Sequence, residues 1–450
     1  MSSAIVTQLA TRIAQEHAAA AGSLPAGVIG LDRRRSALHA LEAQGGLPTA
    51  RDENWKYANL RPLERVRFAP IVKRLAPELA QRVAEQLPAP VAGYARRVFV
   101  DGVFSPELSM PLDRAGVSVR SLGPHTAAAS LPTGDERFAL LNEAFATDGA
   151  VIRVAAGADC ETCLEIVFAA TLDAQSGASY PRIELDVAAG ARFGLIERHL
   201  SAAGSEANFV NAVVNIHLGR GATVSHYRVQ QLGARALWFD TLAATLAQDA
   251  KYRLHCVSLG ALSARSTVNI RLAGERAAVG VYAASVADLH QSQDAFVLVE
   301  HQVPRAITEQ VFRGVAAGRS RVGFNGKVIV RKDAQGSDSR QSLRGLLAGP
   351  EAEIDVRPQL EIYTDDVKCS HGATAGKLDD DMLFYLLSRG LDRDTAQRLL
   401  KWAFLEDVVA KIDVPELRRQ IEQSLAGHLN EAAALKGLLH AATPAQEELL

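Results

Sequence analysis

The residues of this chain best suited to soft-metal chemistry are Cys369 and His371, two positions apart in Asp365-Asp366-Val367-Lys368-Cys369-Ser370-His371-Gly372-Ala373-Thr374. On an extended backbone, side chains at i and i+2 leave the same face, so a thiol and an imidazole would stand side by side. A soft thiolate with a borderline imidazole suits iron or an iron–sulfur species. By chemistry alone, the same pair reads equally well as a packing cysteine and a hydrogen-bonded histidine. The second thiol pair, Cys160-Glu161-Thr162-Cys163, runs into the strand-like Leu164-Glu165-Ile166-Val167-Phe168. Three residues apart on a strand, side chains face opposite ways, so these thiols are not expected to share an ion. There is no second Cys pair to complete a tetrahedral site, and the expected role is structural. His199, His217, His226, His255, His290 and His301 lie in strand-like runs. Each is read as a packing residue. The best exception is His290, with Asp288 two residues before it on the same expected strand face.

The usual catalytic signatures are missing: no glycine–lysine phosphate loop, no dinucleotide fingerprint, no Gly-x-Ser-x-Gly elbow. Carboxylates are scattered. This shifts weight from an enzyme towards a scaffold or partner subunit. The 450 residues carry a formal net charge of −2, with both signs interspersed, which argues against a nucleic-acid binder. No apolar run approaches the roughly 18 residues of a membrane span. Met1–Ala21 reads as a polar-amphipathic helix without the pattern of a secretory signal. Four cysteines are too few for a disulfide framework at this length, so a cytoplasmic setting is expected.

Three zones must position these residues. Residues 1–93 are periodic at helical spacing, with helices expected over Leu31–Gln44 and Pro77–Gln86. Between them, Trp55-Lys56-Tyr57 interrupts a polar stretch and is read as pinning this zone to the main body. Residues 94–376 are strand-like, with short apolar alternations broken by Gly- or Asp-centred turns. Ala156-Gly157-Ala158, Ala189-Gly190-Ala191, Arg220-Gly221-Ala222 and Gln248-Asp249-Ala250 return at about thirty-residue steps, the mark of a solenoid. A parallel β-helix is the leading architecture and a β-sandwich the alternative. Residues 377–450 return to helix. Asp379-Asp380-Asp381 precedes Met382–Ser388, Gly390 follows it, another helix starts near Asp394, and Pro415 opens a third. Ala396, Leu399, Leu400, Ala403, Phe404, Val408 and Ile412 make one apolar stripe. The fold class is therefore mainly β, with helical zones on either side.

The motif around Cys369 and His371, followed by Phe384-Tyr385-Leu386 and Ser388-Arg389-Gly390, resembles the C-terminal signature of the SufD family. Phe324-Asn325-Gly326-Lys327, preceded by Arg313-Gly314, resembles a strand of the same family. So do Asn142-Glu143-Ala144-Phe145 with Asp148-Gly149, and Trp55-Lys56-Tyr57 near the N-terminus. The resemblance runs over nearly the whole chain. The sister SufB family differs in carrying a cysteine in the strand after Phe-Asn-Gly and Glu-His-Glu where this chain has Ser370-His371-Gly372. Here that strand reads Asp338-Ser339-Arg340-Gln341-Ser342-Leu343-Arg344, without a cysteine.

The resemblance implies a right-handed parallel β-helix flanked by N-terminal and C-terminal α-helical domains, and a non-catalytic subunit of an iron–sulfur cluster assembly complex. It implies pairing with SufB, self-association in SufB's absence, and docking of the SufC ATPase through Arg389, Gly390, Leu399, Trp402, Ala403, Phe404 and Val408. His371 is the implied ligand for iron or a nascent cluster shared with SufB, and none is expected to stay bound to the isolated chain. Cys369 is expected to be auxiliary, or turned to the other side of a twisted strand. Neither nucleic acid nor membrane is an implied partner.

Overall fold

The computed structural model describes residues 8–70, 72, 75–123, 135–204 and 207–428. The first seven residues of the expected N-terminal helix and residues 429–450 of the C-terminal zone lie outside these. The period of the chain is set at its corners. Gly157, Gly190 and Gly221 have φ of 69°, 68° and 68°, and the equivalent corners are held by Asp249, Arg276, Arg305 and Gly336 at 59°, 58°, 60° and 70°. Each donates its backbone N–H to the next coil: Gly157 to Ala189 O at 3.0 Å, Gly190 to Arg220 O at 2.8 Å, Gly221 to Gln248 O at 2.8 Å, Asp249 to Glu275 O at 2.9 Å. Glycine enters the left-handed region without a Cβ penalty, which is why Gly recurs in the turn units seen in the sequence.

Between corners the chain runs in strands. Three head the solenoid: β1 (Ala95–Val100), β2 (Val103–Ser105) and β3 (Val117–Ser121). Eight coils follow, each with two strands. The first four pair β4 (Ala150–Val154) with β5 (Asp159–Ala170), β6 (Arg182–Val187) with β7 (Arg192–Ser201), β8 (Phe209–Leu218) with β9 (Thr223–Gln231), and β10 (Leu237–Leu246) with β11 (Lys251–Ser258). The last four are β12 (Ser263–Leu272) with β13 (Ala278–Ala287), β14 (Ser292–His301) with β15 (Ile307–Ala316), β16 (Arg321–Val330) with β17 (Ser337–Leu347), and β18 (Glu353–Ile362) with β19 (Val367–Lys377). Odd-numbered strands from β5 onward stack in one sheet and even-numbered strands from β4 in the other, in parallel register from coil to coil. The parallel β-solenoid stands, and the sandwich alternative falls.

The interior is apolar for most of its length, with Leu164, Ile166, Leu195, Val224, Val268, Val299 and Phe324 among its buried members. Strand alternation was weak in the sequence because the outer faces are covered too. Helices α1 (Gln8–Ala20), α2 (Leu31–Ala43) and α4 (Arg137–Phe145) belong to a cluster built with Phe209, Leu237 and Phe239 on the outside of the even sheet. Helix α3 (Pro77–Ala84) places Val83 with Val98, Val100 and Val167 outside the odd sheet. Trp55 pins this region as expected. It is 2% exposed, donates Nε1–H to Asp135 Oδ2 at 2.7 Å, and lies under the Arg265 guanidinium at 4.5 Å.

The C-terminal helices are α5 (Asp380–Ser388), α6 (Arg393–Val409) and α7 (Pro415–His428). Asp379 caps α5, accepting from the backbone N–H of Asp381 and Met382, and Asp392 caps α6 through Thr395 N–H. Only part of the expected α6 stripe faces the solenoid: Val408 and Ile412 do, Leu405 and Val409 join them, and Ala403 is exposed. Leu405, Val408, Val409 and Ile412, with Leu417, Ile421 and Leu425 of α7, pack on Val229, Val257, Val286, Val311 and Val315 of the odd sheet. Arg313 pairs with Asp407, and Arg253 with Asp413 at 2.6 Å, along the same seam.

Two expectations need correction. Cys160 and Cys163 do not point to opposite faces. They form a disulfide with Cα atoms 5.2 Å apart. The reason is a bulge: the register of β5 on β7 shifts between Cys160 and Leu164, so three residues oppose the single Gly194, and regular alternation fails there. His290 is not on a strand. It lies in the turn between β13 and β14, exposed, after Leu289 at φ 55°.

Candidate functional site at the open end of the solenoid

Strands β18 and β19 are the last of their sheets, each hydrogen-bonded on one side only. An unpaired edge presents a row of free N–H and C=O groups. Pro358, in the middle of β18, removes one donor from the even-sheet edge and sits in register with Gly326. The residues that would close the interior, Ile354, Val356, Leu360, Val367 and Cys369, pack on the core from below but stay partly exposed above.

Cys369 and His371 belong to this last layer. In register, Cys369 stands over Ser339 and His371 over Gln341. Both underlying residues face inward: Ser339 is buried, and Gln341 reaches across to donate to Gly326 O of the opposite sheet at 2.9 Å. Registered neighbours in a parallel sheet share a face, so Cys369 and His371 both project into the mouth of the solenoid. The alternative that turned Cys369 away is thereby corrected. Burial pushes the Cys369 thiol above its ordinary pKa, and Asp338 adds to this against a backbone hydrogen bond at Ser339. A thiol held protonated is a weaker ligand than a thiolate. Among the described residues no three His, Cys, Asp or Glu side chains gather in a metal-holding group. The mouth thus offers two donors of mixed softness, and an ion held there takes its remaining ligands from outside these groups.

The buried histidines do what packing residues do, and His217, expected among them, does not. His199 Nε2 lies 2.6 Å from Glu197 Oε1, and His226 bridges Glu197 Oε2 at 3.0 Å and Tyr252 Oη at 2.9 Å. Burial alone would push Glu197 up, but Arg228 and these histidines hold it well below the carboxylate range. His301 bonds Ser337 and Thr308, and burial lowers its pKa to about 4. His255 stacks between Tyr227 and Tyr282 at 5.1 and 5.0 Å. Burial, then Arg253 and Lys411, bring its pKa down to about 3. His217 is exposed on β8.

The residues singled out for partner docking are dispersed. Arg389, Gly390 and Ala403 are exposed; Leu399, Trp402 and Phe404 are half-buried; Val408 is 1% exposed against the solenoid. Sequence reasoning missed a stronger surface, on α5. Met382, Phe384 and Tyr385 are 58%, 72% and 55% exposed, while only Leu383 of that helix is buried. Ile362 and Tyr363, at the end of β18, are also exposed. The signal was three large apolar residues within four positions of a short helix whose inward face needs only one. Large apolar residues left exposed in a group are a common feature of interaction surfaces.

A family model described as SUF system FeS cluster assembly, SufBD core domain, matches residues 170–404. The iron–sulfur cluster assembly protein SufD of Escherichia coli (strain K12) is 30% identical over 379 residues, covering 84% of this chain and 88% of that protein. An iron–sulfur cluster assembly SufBD family protein of Synechocystis sp. is 29% identical over 397 residues, covering 84% and 87%. The chloroplastic protein ABCI7 of Arabidopsis thaliana is 28% identical over 254 residues, covering 56% and 53%.

Proposed function

The chain belongs to the SufD family of iron–sulfur cluster assembly proteins, and we propose that it works there as a non-catalytic subunit whose open last coil pairs with a SufB-type partner. Iron or a nascent cluster is cargo at that junction. His371 is the ligand this chain offers, Cys369 is auxiliary, and the partner supplies the rest. The carrying observation is the uncapped coil, where two metal-binding side chains stand in a mouth of half-exposed aliphatic residues. An edge of this kind is completed by another chain. Without SufB, a second copy of this chain would meet the same edge.

The C-terminal zone, residues 377–450, docks a SufC-type ATPase in this reading, residues 94–376 form the core, and residues 1–93 brace it. Val408 contributes by packing. Docking falls to Arg389, Gly390, Leu399, Trp402, Ala403 and Phe404, joined by Phe384 and Tyr385. ATP-driven movement of SufC would bias the junction between two arrangements, a nucleotide switch acting at a distant subunit. The setting is cytoplasmic; among the described residues no helix is long and apolar enough to cross a membrane.

Co-expression of the tagged chain with SufB- and SufC-type subunits tests this. All three should co-purify, and F384S/Y385S should lose the ATPase and keep SufB. H371A should assemble the complex and fail to build clusters. A H371A complex that builds clusters at the normal rate would remove the ligand role.

A further inference from the structure

Directly beneath His371 lies a buried amide with one end unused. At this register the interior column of the odd sheet runs Val281, Gln310, Gln341, His371. Gln341 is 4% exposed. Its Nε2 donates to Gln310 Oε1 at 3.1 Å and to Gly326 O at 2.9 Å. Two acceptors on one nitrogen fix the amide's orientation, because a flip would set its oxygen against two oxygens. Gly326 lets it seat: a Cβ there would meet Gln310 Oε1 at 2.5 Å and Gln341 Nε2 at 2.9 Å. Gln341 Oε1 is left without a hydrogen-bond partner. A buried carbonyl oxygen in that state is unfavourable, so it calls for a donor.

The next residue of the column is His371, one strand spacing of about 4.8 Å further out on the same face. Its neighbour Cys369 stands over Ser339, whose rotatable hydroxyl fixes no tautomer. We propose that Gln341 is a positioning residue that accepts the ring N–H of His371 on Oε1, holding the imidazole in one tautomer with its second nitrogen turned outward. Metal-binding histidines commonly hand their other N–H to a carbonyl or carboxylate in this way, which fixes ring orientation and raises ligand basicity. The inference rests on the ligand reading of His371 given above and adds the group that aims it.

Long-range ¹⁵N–¹H correlation spectra of the full chain, labelled at histidine, test it, with His371 assigned by the signals lost in H371A. The wild type should show well-separated ring nitrogens for His371, one carrying the proton. In Q341L the two shifts should draw together as both tautomers populate. Should Q341L fail to fold, Q341N serves with the same expected averaging, because it withdraws the carbonyl by one bond. Unchanged His371 shifts in Q341L or Q341N overturn the proposal. Cluster formation in the three-subunit complex is read separately. If His371 responds to Gln341 but H371A still builds clusters, the positioning stands and the ligand reading fails. If H371A abolishes clusters and the tautomer ignores Gln341, the reverse holds.

Discussion

At its first coil the solenoid is closed by β2 lying antiparallel on β1 and β3 antiparallel on β4, with Phe99 against Phe104 and Phe168 at 5.5 and 5.3 Å. At its last coil, β18 and β19 end both sheets, and no strand among the described residues pairs with their outer edges. The first end follows the ordinary rule that a repeat array needs a cap to stay soluble and unpaired. One chain therefore contains both treatments, and the contrast teaches that a solenoid closed by its own strands at one end can leave its last coil open at the other. Aliphatic residues that a cap would bury are left at the rim beside the only two donors suited to soft metal in that layer.

If the C-terminal helices belong to the structural half of this contrast, truncation after Lys377 should have the largest effect. It strips seven buried aliphatic residues of α6 and α7, from Leu405 to Leu425, off the odd sheet. At about 1.5–3 kcal/mol each, the loss is on the order of 10 kcal/mol, and the fragment should melt much earlier and aggregate. A fragment that melts like the full chain would show that the helices are an appendage. Trp55→Ala should come next. Loss of a buried tryptophan costs about 3–5 kcal/mol, visible in a denaturant midpoint.

The pH response sharpens the comparison, since the depressed histidines are buried in coils beneath the open rim. The pKa values of His301 and His255 are lowered from 6.5 to about 4 and about 3, so both stay neutral when folded. Above pH 6.5 neither affects stability. Below it the unfolded chain binds protons that the folded chain refuses, so stability falls as pH drops towards 4. For His301 alone the span amounts to on the order of 3 kcal/mol. Urea midpoints at pH 7 and pH 5 should show the decline, and H301Q should flatten it. The smallest stability effect belongs to the open end: H371A should lower stability by about 1 kcal/mol at most, the worth of one hydrogen bond to Gln341 at a rim open to water. A large destabilisation would make His371 a packing residue.

Much of this could be read in the sequence. The corners announced the solenoid because left-handed backbone selects Gly and Asp, and α2, α3, α5, α6 and α7 begin where their prolines, caps and periodicity indicate. Cys369 and His371 were legible as a same-face pair. What was hidden depends on partners about thirty residues away. The Cys160–Cys163 bulge is defined against Gly194 of the next coil, and the role of Gln341 only by what stands above and below it. The direction of the α6 stripe was ambiguous because an apolar stripe states that it is buried and leaves open against what.

Only Leu378 and Asp379 separate the end of β19 from the start of α5. That short tether turns the helix into a handle. Force applied to the exposed face of α5 has almost no slack to take up before it reaches the strand carrying His371. Because β19 is held along one side only, the pull would open it like a zipper from Lys377 backwards, one rung bond after another, while α6, clamped by Asp407 on Arg313, stays anchored. Towards the opposite end of the same sheet β1 would resist, being paired on both edges, to β2 and to β5. The chain thus joins its most grippable surface to its most easily lifted strand.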